Sequence, residues 1–234
     1  MRTLNVEPPA EQGLHHGLSF ALFLPPGEPQ GSVVVLHGAD SVKENHFDFA
    51  RSVRASGMAA IAFDQRGHGA SEGAMDGGAL LDVAAMAALV RERSGSARLA
   101  LRGSSMGGYL ALAASHLVDP GAVVAICPAS GAGLARGLRD DRFAFGADRP
   151  ALEALLHEHD AGTAAARLGQ RLLLLHAEGD EQVPVEHSRE LHRLAAGSKL
   201  IVVPGGHHRS VQHDPELQAY ALRFINRGLR RGRG

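Results

Sequence analysis

Six short runs rich in Val, Leu, Ile and Ala lie at about 32–36, 58–63, 97–101, 121–126, 171–176 and 199–203, and helical patterns separate them. Runs so continuously apolar have no face to give to water, so each must be covered on both sides. Buried strands that alternate with helices specify a mostly parallel sheet with crossover helices on its two faces. The 234 residues suit one large domain of this kind, and a domain of that size buries enough surface to need no staple. The segments around 2–7 and 17–24 are expected to add an antiparallel hairpin at one edge.

The helices carry readable punctuation. Ser41 and Glu44 have the spacing of a capping box ahead of Phe49, Ala50 and Val53, with Gly57 as the stop. Asp214-Pro215-Glu216 reads as an N-cap, a first-turn proline and a first-turn acid. Behind it Leu217, Tyr220, Ala221, Phe224 and Ile225 form one apolar stripe. More than forty residues separate the runs that end at Ile126 and start at Arg171, far beyond the dozen or so that a crossover requires. The surplus, at about 129–170, is expected to form a small lid, with Ala151 to His159 as its best helix. The tail from Arg227 is expected to be a frayed, solvated end.

Charge and cysteine content exclude several classes. A formal net charge of -1 supplies no field to draw in nucleic acid or an anionic membrane. The single cysteine, Cys127, sits at the end of an apolar run and reads as an inert core thiol. No apolar stretch reaches the ~20 residues of a membrane span, and the N-terminus lacks the pattern of a signal peptide, so a cytoplasmic location is expected. His15, His16, His187, His192 and His213 read as surface residues. His157 and His159 would face apart on a helix, and no metal is expected.

Chemistry concentrates after three of the runs. Gly103-Ser104-Ser105-Met106-Gly107-Gly108 follows a strand and opens a helical run, the context in which Gly-x-Ser-x-Gly presents a nucleophilic serine on a sharp turn. Glycines at 103 and 107 select Ser105 over Ser104, and the Met106 N–H at the helix start can donate to an oxyanion. A serine hydroxyl needs a base and an orienting acid. The run that ends at His176 is followed by Glu178, Asp180 and Glu181, among which Asp180 fits best by its spacing to His176 and to Val183-Pro184. The last run ends in Pro204-Gly205-Gly206-His207-His208-Arg209, a loop that can carry a histidine between acid and serine. Ser, Asp and His thus occur in that order, each after a separate strand. The loop His37-Gly38-Ala39 can supply a second donor from the Ala39 N–H, with His37 in a structural role.

On these residues the chain resembles the α/β-hydrolase superfamily, especially its monoacylglycerol lipase-like and serine aminopeptidase-like branch. The likeness runs from about Ser32 to Ile225, through His37-Gly38-Ala39, Asp64 to Ser71, the Ser105 turn, Asp180-x-x-Val183-Pro184 and the loop ending at His208. It implies a single α/β-hydrolase domain over residues 1–234 with a short lid. It implies Ser105, Asp180 and His208 as catalytic residues, since its pattern Pro-Gly-x-x-His ends on His208, with Ala39 and Met106 N–H groups as the oxyanion hole. Asp64 to Ser71 becomes a structural loop beside the site. Arg102, directly before the first glycine, departs from the apolar residues common there.

The expected function is hydrolysis of small to medium, uncharged carboxylic esters by an acyl-enzyme mechanism without metal or organic cofactor. The expected partner is a small-molecule ester, with no nucleic acid and no membrane; the oligomeric state is left open. Two alternatives stand beside it: the same three residues cleaving peptide, thioester or carbon–carbon bonds, and a non-catalytic binding protein on the same fold.

Overall fold

Residues 7–231 are described by the computed structural model, and eight strands run through them: β1 (Glu11–His15), β2 (Leu18–Phe23), β3 (Ser32–Leu36), β4 (Ala59–Phe63), β5 (Leu99–Ser104), β6 (Ala122–Ile126), β7 (Leu172–Ala177) and β8 (Lys199–Val203). They form one sheet in the order β1-β2-β4-β3-β5-β6-β7-β8. From β4 to β8 all neighbours are parallel, and β1 and β2 join antiparallel. The six apolar runs are the six parallel strands. The helices are α1 (Phe47–Ala55), α2 (Ala79–Ser94), α3 (Met106–Ala113), α4 (Ser115–Val118), α5 (Gly131–Arg139), α6 (Arg149–Glu158), α7 (Ala161–Leu168), α8 (Val185–Leu194) and α9 (Pro215–Arg231).

Period-2 alternation divides the strand side chains between two cores. Val34, Leu36, Leu99 and Leu101 join residues of α2 and α3 on one face. Val33, Val35, Ala100 and Val124 join Phe49 and Val53 of α1 and Phe224 and Ile225 of α9 on the other. The α9 stripe is therefore core, and Asp214 caps that helix by accepting from the N–H groups of Glu216 and Leu217.

The strand order reverses beside β3: the chain goes first to β4 on one side, then crosses to β5 on the other. Loops leaving β3 and β5 diverge there and open a crevice at the carboxyl edge of the sheet. Asp64, fully buried at the end of β4, ties the loop after β3 to the loop after β4. Its Oδ2 is 2.8 Å from Lys43 Nζ, its Oδ1 accepts from the Lys43 N–H at 2.8 Å, and Oδ2 also accepts from the Ala70 N–H at 3.0 Å. Ser71 Oγ donates to its carbonyl. Burial would raise the Asp64 carboxyl, but these bonds outweigh it and hold it below the usual carboxylate range.

Between β6 and β7, α5 packs on α6, whereas α7 packs on α3 and α8 as a flanking helix of the sheet. The segment joining α5 to α6 is pinned to the loop after β4 by Gly146 N to Gly67 O, Met75 N to Gly146 O and Asp148 N to Met75 O.

Four expectations need correction. The edge hairpin pairs Glu11–His15 with β2; the stretch expected at 2–7 lies, except for Glu7, outside the described residues. The strand was not legible because Glu-Gln-Gly-Leu-His is polar and partly exposed, an edge with no apolar face to read. Ser41 and Glu44 form no capping box: a 3-10 turn occupies Lys43–His46 without a side-chain cap, Ser41 Oγ meets Asn45, and Glu44 pairs with Lys43. The chain from Arg227 to Arg231 is not a frayed end but the last turn of α9, with Leu229 buried against the core. His187 is partly buried rather than a surface residue, and burial lowers its pKa.

Removing one partner of a buried ion pair strands the other charge, at about 3–5 kcal/mol. Asp64→Ala should therefore lower the melting temperature by about 6–20 °C for a chain of this length. Calorimetry checks this; an unchanged melting temperature contradicts the structural role of the pair.

Candidate active site

Ser105 is the hinge between β5 and α3, with φ 54° and ψ -120°. A residue with a Cβ reaches that region only under constraint. The constraint is visible: Ser105 N donates to Ile126 O at 2.9 Å, and Ser105 O accepts from the N–H groups of Tyr109 and Ala129, each at 3.1 Å. The flanking glycines are steric necessities. A Cβ on Gly103 would lie 2.0 Å from the Gly107 oxygen, and one on Gly107 would lie 2.4 Å from the His37 oxygen. The Ser105 side chain is half-buried and has no hydrogen-bond partner among the described residues. Ser104, by contrast, is buried and donates its hydroxyl to Gln212 Oε1 at 2.6 Å.

The loop after β3 comes close to this hinge. A Cβ on Gly38 would stand 3.2 Å from Ser105 Cβ, so glycine is what permits the approach. His37 shapes the loop: its Nε2 accepts from the Gln65 N–H at 3.0 Å, which leaves the proton on Nδ1 to donate to Gly38 O at 2.7 Å. Gln65 Nε2 donates back to His37 O at 2.6 Å. Burial lowers the His37 pKa to about 4, so the ring is neutral near pH 7. Ala39 follows on the cavity wall, and Met106 opens α3, where its N–H has no intrahelical acceptor.

Asp180, in the loop after β7, has a fully buried side chain that lies between two imidazoles. Its Oδ2 is 2.7 Å from His208 Nδ1 and 3.3 Å from His176 Nε2. Its Oδ1 accepts from the N–H groups of Gln182 and Val183, both at 2.9 Å. Burial would raise this carboxyl, but hydrogen bonds from His176, His208, Val183 and Gln182 overcome it and hold the group well below the usual carboxylate range. His176 Nε2 also points at Val183 O, 3.0 Å away, so it carries the proton while Nδ1 accepts from Ser188 Oγ at 2.7 Å. The competing Glu178 is exposed and paired with Arg189, and Glu181 is exposed. His208 is nearly buried, whereas its neighbour His207 faces solvent.

A cavity of about 800 Å³ brings these elements together, with Gly38, Ala39, Ser105, Leu134, Phe143 and His208 in its wall. Apolar side chains of α5 and α6 close down on Met106 and Tyr109, leaving a void of only about 10 Å³ beneath them. Among the described residues, Cys127, His176 and Asp180 place possible metal-ligand atoms within 4.8 Å of one another. Both His176 nitrogens and the Asp180 oxygens are already engaged, and burial pushes the Cys127 thiol up, away from the thiolate a metal binds. That set does not fit a metal centre. No helix among the described residues is long and apolar enough to cross a membrane.

Sequence reasoning did not assign roles to Gln65, Ser188 or Gln212. The first stands beside Asp64 in a stretch already singled out; the other two carry no local signal, since their partners are distant in the chain.

Comparisons with known proteins agree with this architecture. Residues 27–140 match the family model described as serine aminopeptidase, S33, and residues 155–232 match the model described as TAP-like protein. A protein of Escherichia coli O157:H7 named "Uncharacterized protein YfhR" is 29% identical over 206 residues, covering 83% of this chain and 69% of its own. The crystal structure of Paleococcus ferrophilus monoacylglycerol lipase superposes with a TM-score of 0.68 at 21% identity, over 91% of this chain and 98% of the lipase. Est1E from Butyrivibrio proteoclasticus, with ferulic acid bound, gives a TM-score of 0.69 at 18% identity, over 95% and 98% of the two chains.

A histidine whose pKa is depressed in the folded state contributes stability that is full above its unfolded pKa of about 6.5 and is lost as pH falls toward its folded value. For His37, with a folded pKa of about 4, the loss between pH 7 and 4.5 amounts to about 2–3 kcal/mol. Burial also lowers His46 and His68, so the wild type loses more than this. Urea unfolding of His37→Gln at the two pH values should show the smaller loss. An equal loss in both proteins contradicts the neutral, buried assignment.

Proposed function

We propose that this chain, which has the fold of the α/β-hydrolases and matches hydrolase family models over residues 27–140 and 155–232, is a serine hydrolase that cleaves carboxylic esters of small to medium acyl chains. The observation that carries this reading is the 2.7 Å contact between Asp180 and His208, whose imidazole shares the wall of one cavity with Ser105. Asp180 holds the imidazole with its proton on Nδ1, which leaves Nε2 free to act as the base. Substrate brings Ser105 Oγ within hydrogen-bond reach of that nitrogen, a contact that free enzymes often hold loosely. As Oγ attacks the ester carbonyl, its proton passes to His208 Nε2. The N–H groups of Ala39 and Met106 stabilise the tetrahedral oxyanion. Collapse releases the alcohol, which takes the proton from His208. Water, deprotonated by the same histidine, then hydrolyses the acyl-enzyme and frees the acid.

The chain-length preference follows from the packing of α5 and α6. Together they act as a small lid, whose apolar underside is filled by its own contacts with Met106 and Tyr109. A long acyl chain would have to displace them; a short one fits the open cavity.

Cleavage of peptides at a free N-terminus is the second reading, favoured by the serine aminopeptidase model over residues 27–140. The lid acids that could bind an amine are committed elsewhere: Asp140 meets Arg142, Asp141 meets Arg149 and Glu153 meets Arg139. Asp40 Oδ1, at the cavity, accepts from the N–H groups of Ala144 and Phe145.

A chromogenic ester panel from acetate to palmitate, run beside an aminopeptidase substrate, tests the assignment. Butyrate esters should exceed palmitate esters, and Ser105→Ala should reduce turnover by about 10⁴–10⁶. Ser104→Ala loses a hydrogen bond but no reacting atom, and should fall far less. Full activity in Ser105→Ala would remove the nucleophile, and a dominant aminopeptidase rate would favour the second reading.

The choice between adjacent histidines is decided separately. His208→Ala should abolish ester hydrolysis and labelling of Ser105 by a fluorophosphonate, while His207→Ala keeps most of both. The opposite pattern moves the base one residue back.

A further inference from the structure

Arg102 is the largest fully buried side chain among the described residues, 1% exposed, and stands three positions before Ser105. Strand alternation places it with Ala100 and Ser104 on the face of β5 that packs toward α1 and α9. Its guanidinium stacks 4.6 Å from the centre of the Phe49 ring. No carboxylate among the described residues pairs with it. The nearest acidic influence is Asp48, whose oxygens are engaged by the Phe49 N–H, His213 and Gln218. Burial lowers its pKa only to about 10, so the group is a cation near neutral pH.

Its hydrogen bonds go to two acceptors. Nη1 donates to His46 Nδ1 at 2.8 Å and Nη2 donates to the main-chain oxygen of Gln212 at 3.0 Å. The first bond leaves the His46 proton on Nε2, and both this atom and Arg102 Nε are buried without a partner. An unpaired cation and two unsatisfied donors are unfavourable for stability, and a well-packed apolar side chain would serve the core better.

What the guanidinium does hold is the loop of the proposed base. Gln212 follows His208 by four positions. Its carbonyl accepts from Arg102 and, at 3.1 Å, from Gln218 Nε2, and its side-chain Oε1 accepts from Ser104 Oγ at 2.6 Å. Two side chains of β5, directly ahead of Ser105, thus fasten the segment that carries His208. The other end of that segment turns at Gly205 and Gly206, both at positive φ, where the Gly205 carbonyl accepts from the Gly179 N–H at 3.0 Å.

We propose that Arg102 is a positioning residue that acts through Gln212 to keep the His208 loop in register with the strand bearing Ser105. The proposal rests on Ser105 and His208 being the reacting pair. A misplacement of the base on the order of 1 Å can reduce turnover about a hundredfold without touching a substrate contact. Arg102→Met conserves bulk and removes both the buried charge and its bonds.

The test compares wild type, Arg102→Met and Arg102→Lys by thermal unfolding, by hydrogen exchange of peptides spanning residues 204–214, and by ester kinetics. In Arg102→Met the melting temperature should hold or rise, exchange should quicken in that segment, and kcat should fall about 10–100-fold with KM nearly unchanged. Lysine reaches one acceptor and should restore part of both effects. If Arg102→Met does not fold, Arg102→Lys must still show faster exchange and lower kcat than wild type. Unchanged exchange in the 204–214 peptides, or activity lost only in proportion to unfolding, overturns the proposal. If no ester is turned over by any of the proteins, the proposed function fails, while the exchange comparison still decides whether Arg102 holds the loop.

Discussion

The backbone of Ser105 occupies a conformation that an isolated residue with a side chain avoids, and the neighbouring structure is arranged to impose it. Such a conformation is unfavourable by about 1–3 kcal/mol and survives only where its surroundings over-determine it. Here the surroundings are the Ile126 carbonyl, the Tyr109 and Ala129 N–H groups, and two glycines at which any side chain would collide with backbone. The turn needs a strand behind it, a helix ahead of it and a neighbouring loop without bulk. The reversal of strand order supplies all three, because β3 and β5 are adjacent and their loops separate at the same edge. The position of the cavity follows from that one turn.

Ionisable groups in the interior are managed in three ways. Lys43 and Asp64 neutralise each other and receive further bonds, a structural pair that joins two loops. Asp180 has no full counter-charge but is saturated by donors, so its charge is stabilised while it remains an acceptor for His208. Arg102 has neither a counter-charge nor a full set of acceptors. The first two follow the rule that buried charges are paired or hydrogen-bonded; the third satisfies it only in part, three residues before the proposed nucleophile. Local inconsistencies of this kind concentrate where a structure serves something other than stability.

Much of the fold was legible because its signals are local. Continuous apolar runs marked the six parallel strands to within a residue or two, except that β5 continues to Ser104. Asp214-Pro215-Glu216 announced α9 because a cap acts within one turn. The sharp turn at Ser105 was legible from its flanking glycines, whose necessity is steric and short-range. The failures have one local and one distant cause. The polar β1 has no periodicity, and Ser41 and Glu44 have the spacing of a cap where Asp64 draws Lys43 into a tighter turn.

By itself the sequence determined the alternating architecture, the sharp turn at Ser105, and the succession of serine, acid and histidine after separate strands, because each depends on residues close together in the chain. Only the tertiary structure decided that Asp180 and not Glu178 or Glu181 meets imidazoles, that His208 and not His207 is one of them, and that α5 and α6 pack shut on Met106 and Tyr109. It alone placed Arg102 against Gln212, 110 positions away. Such contacts depend on which faces of distant segments are brought together when the sheet is covered on both sides, and no window along the chain records that geometry.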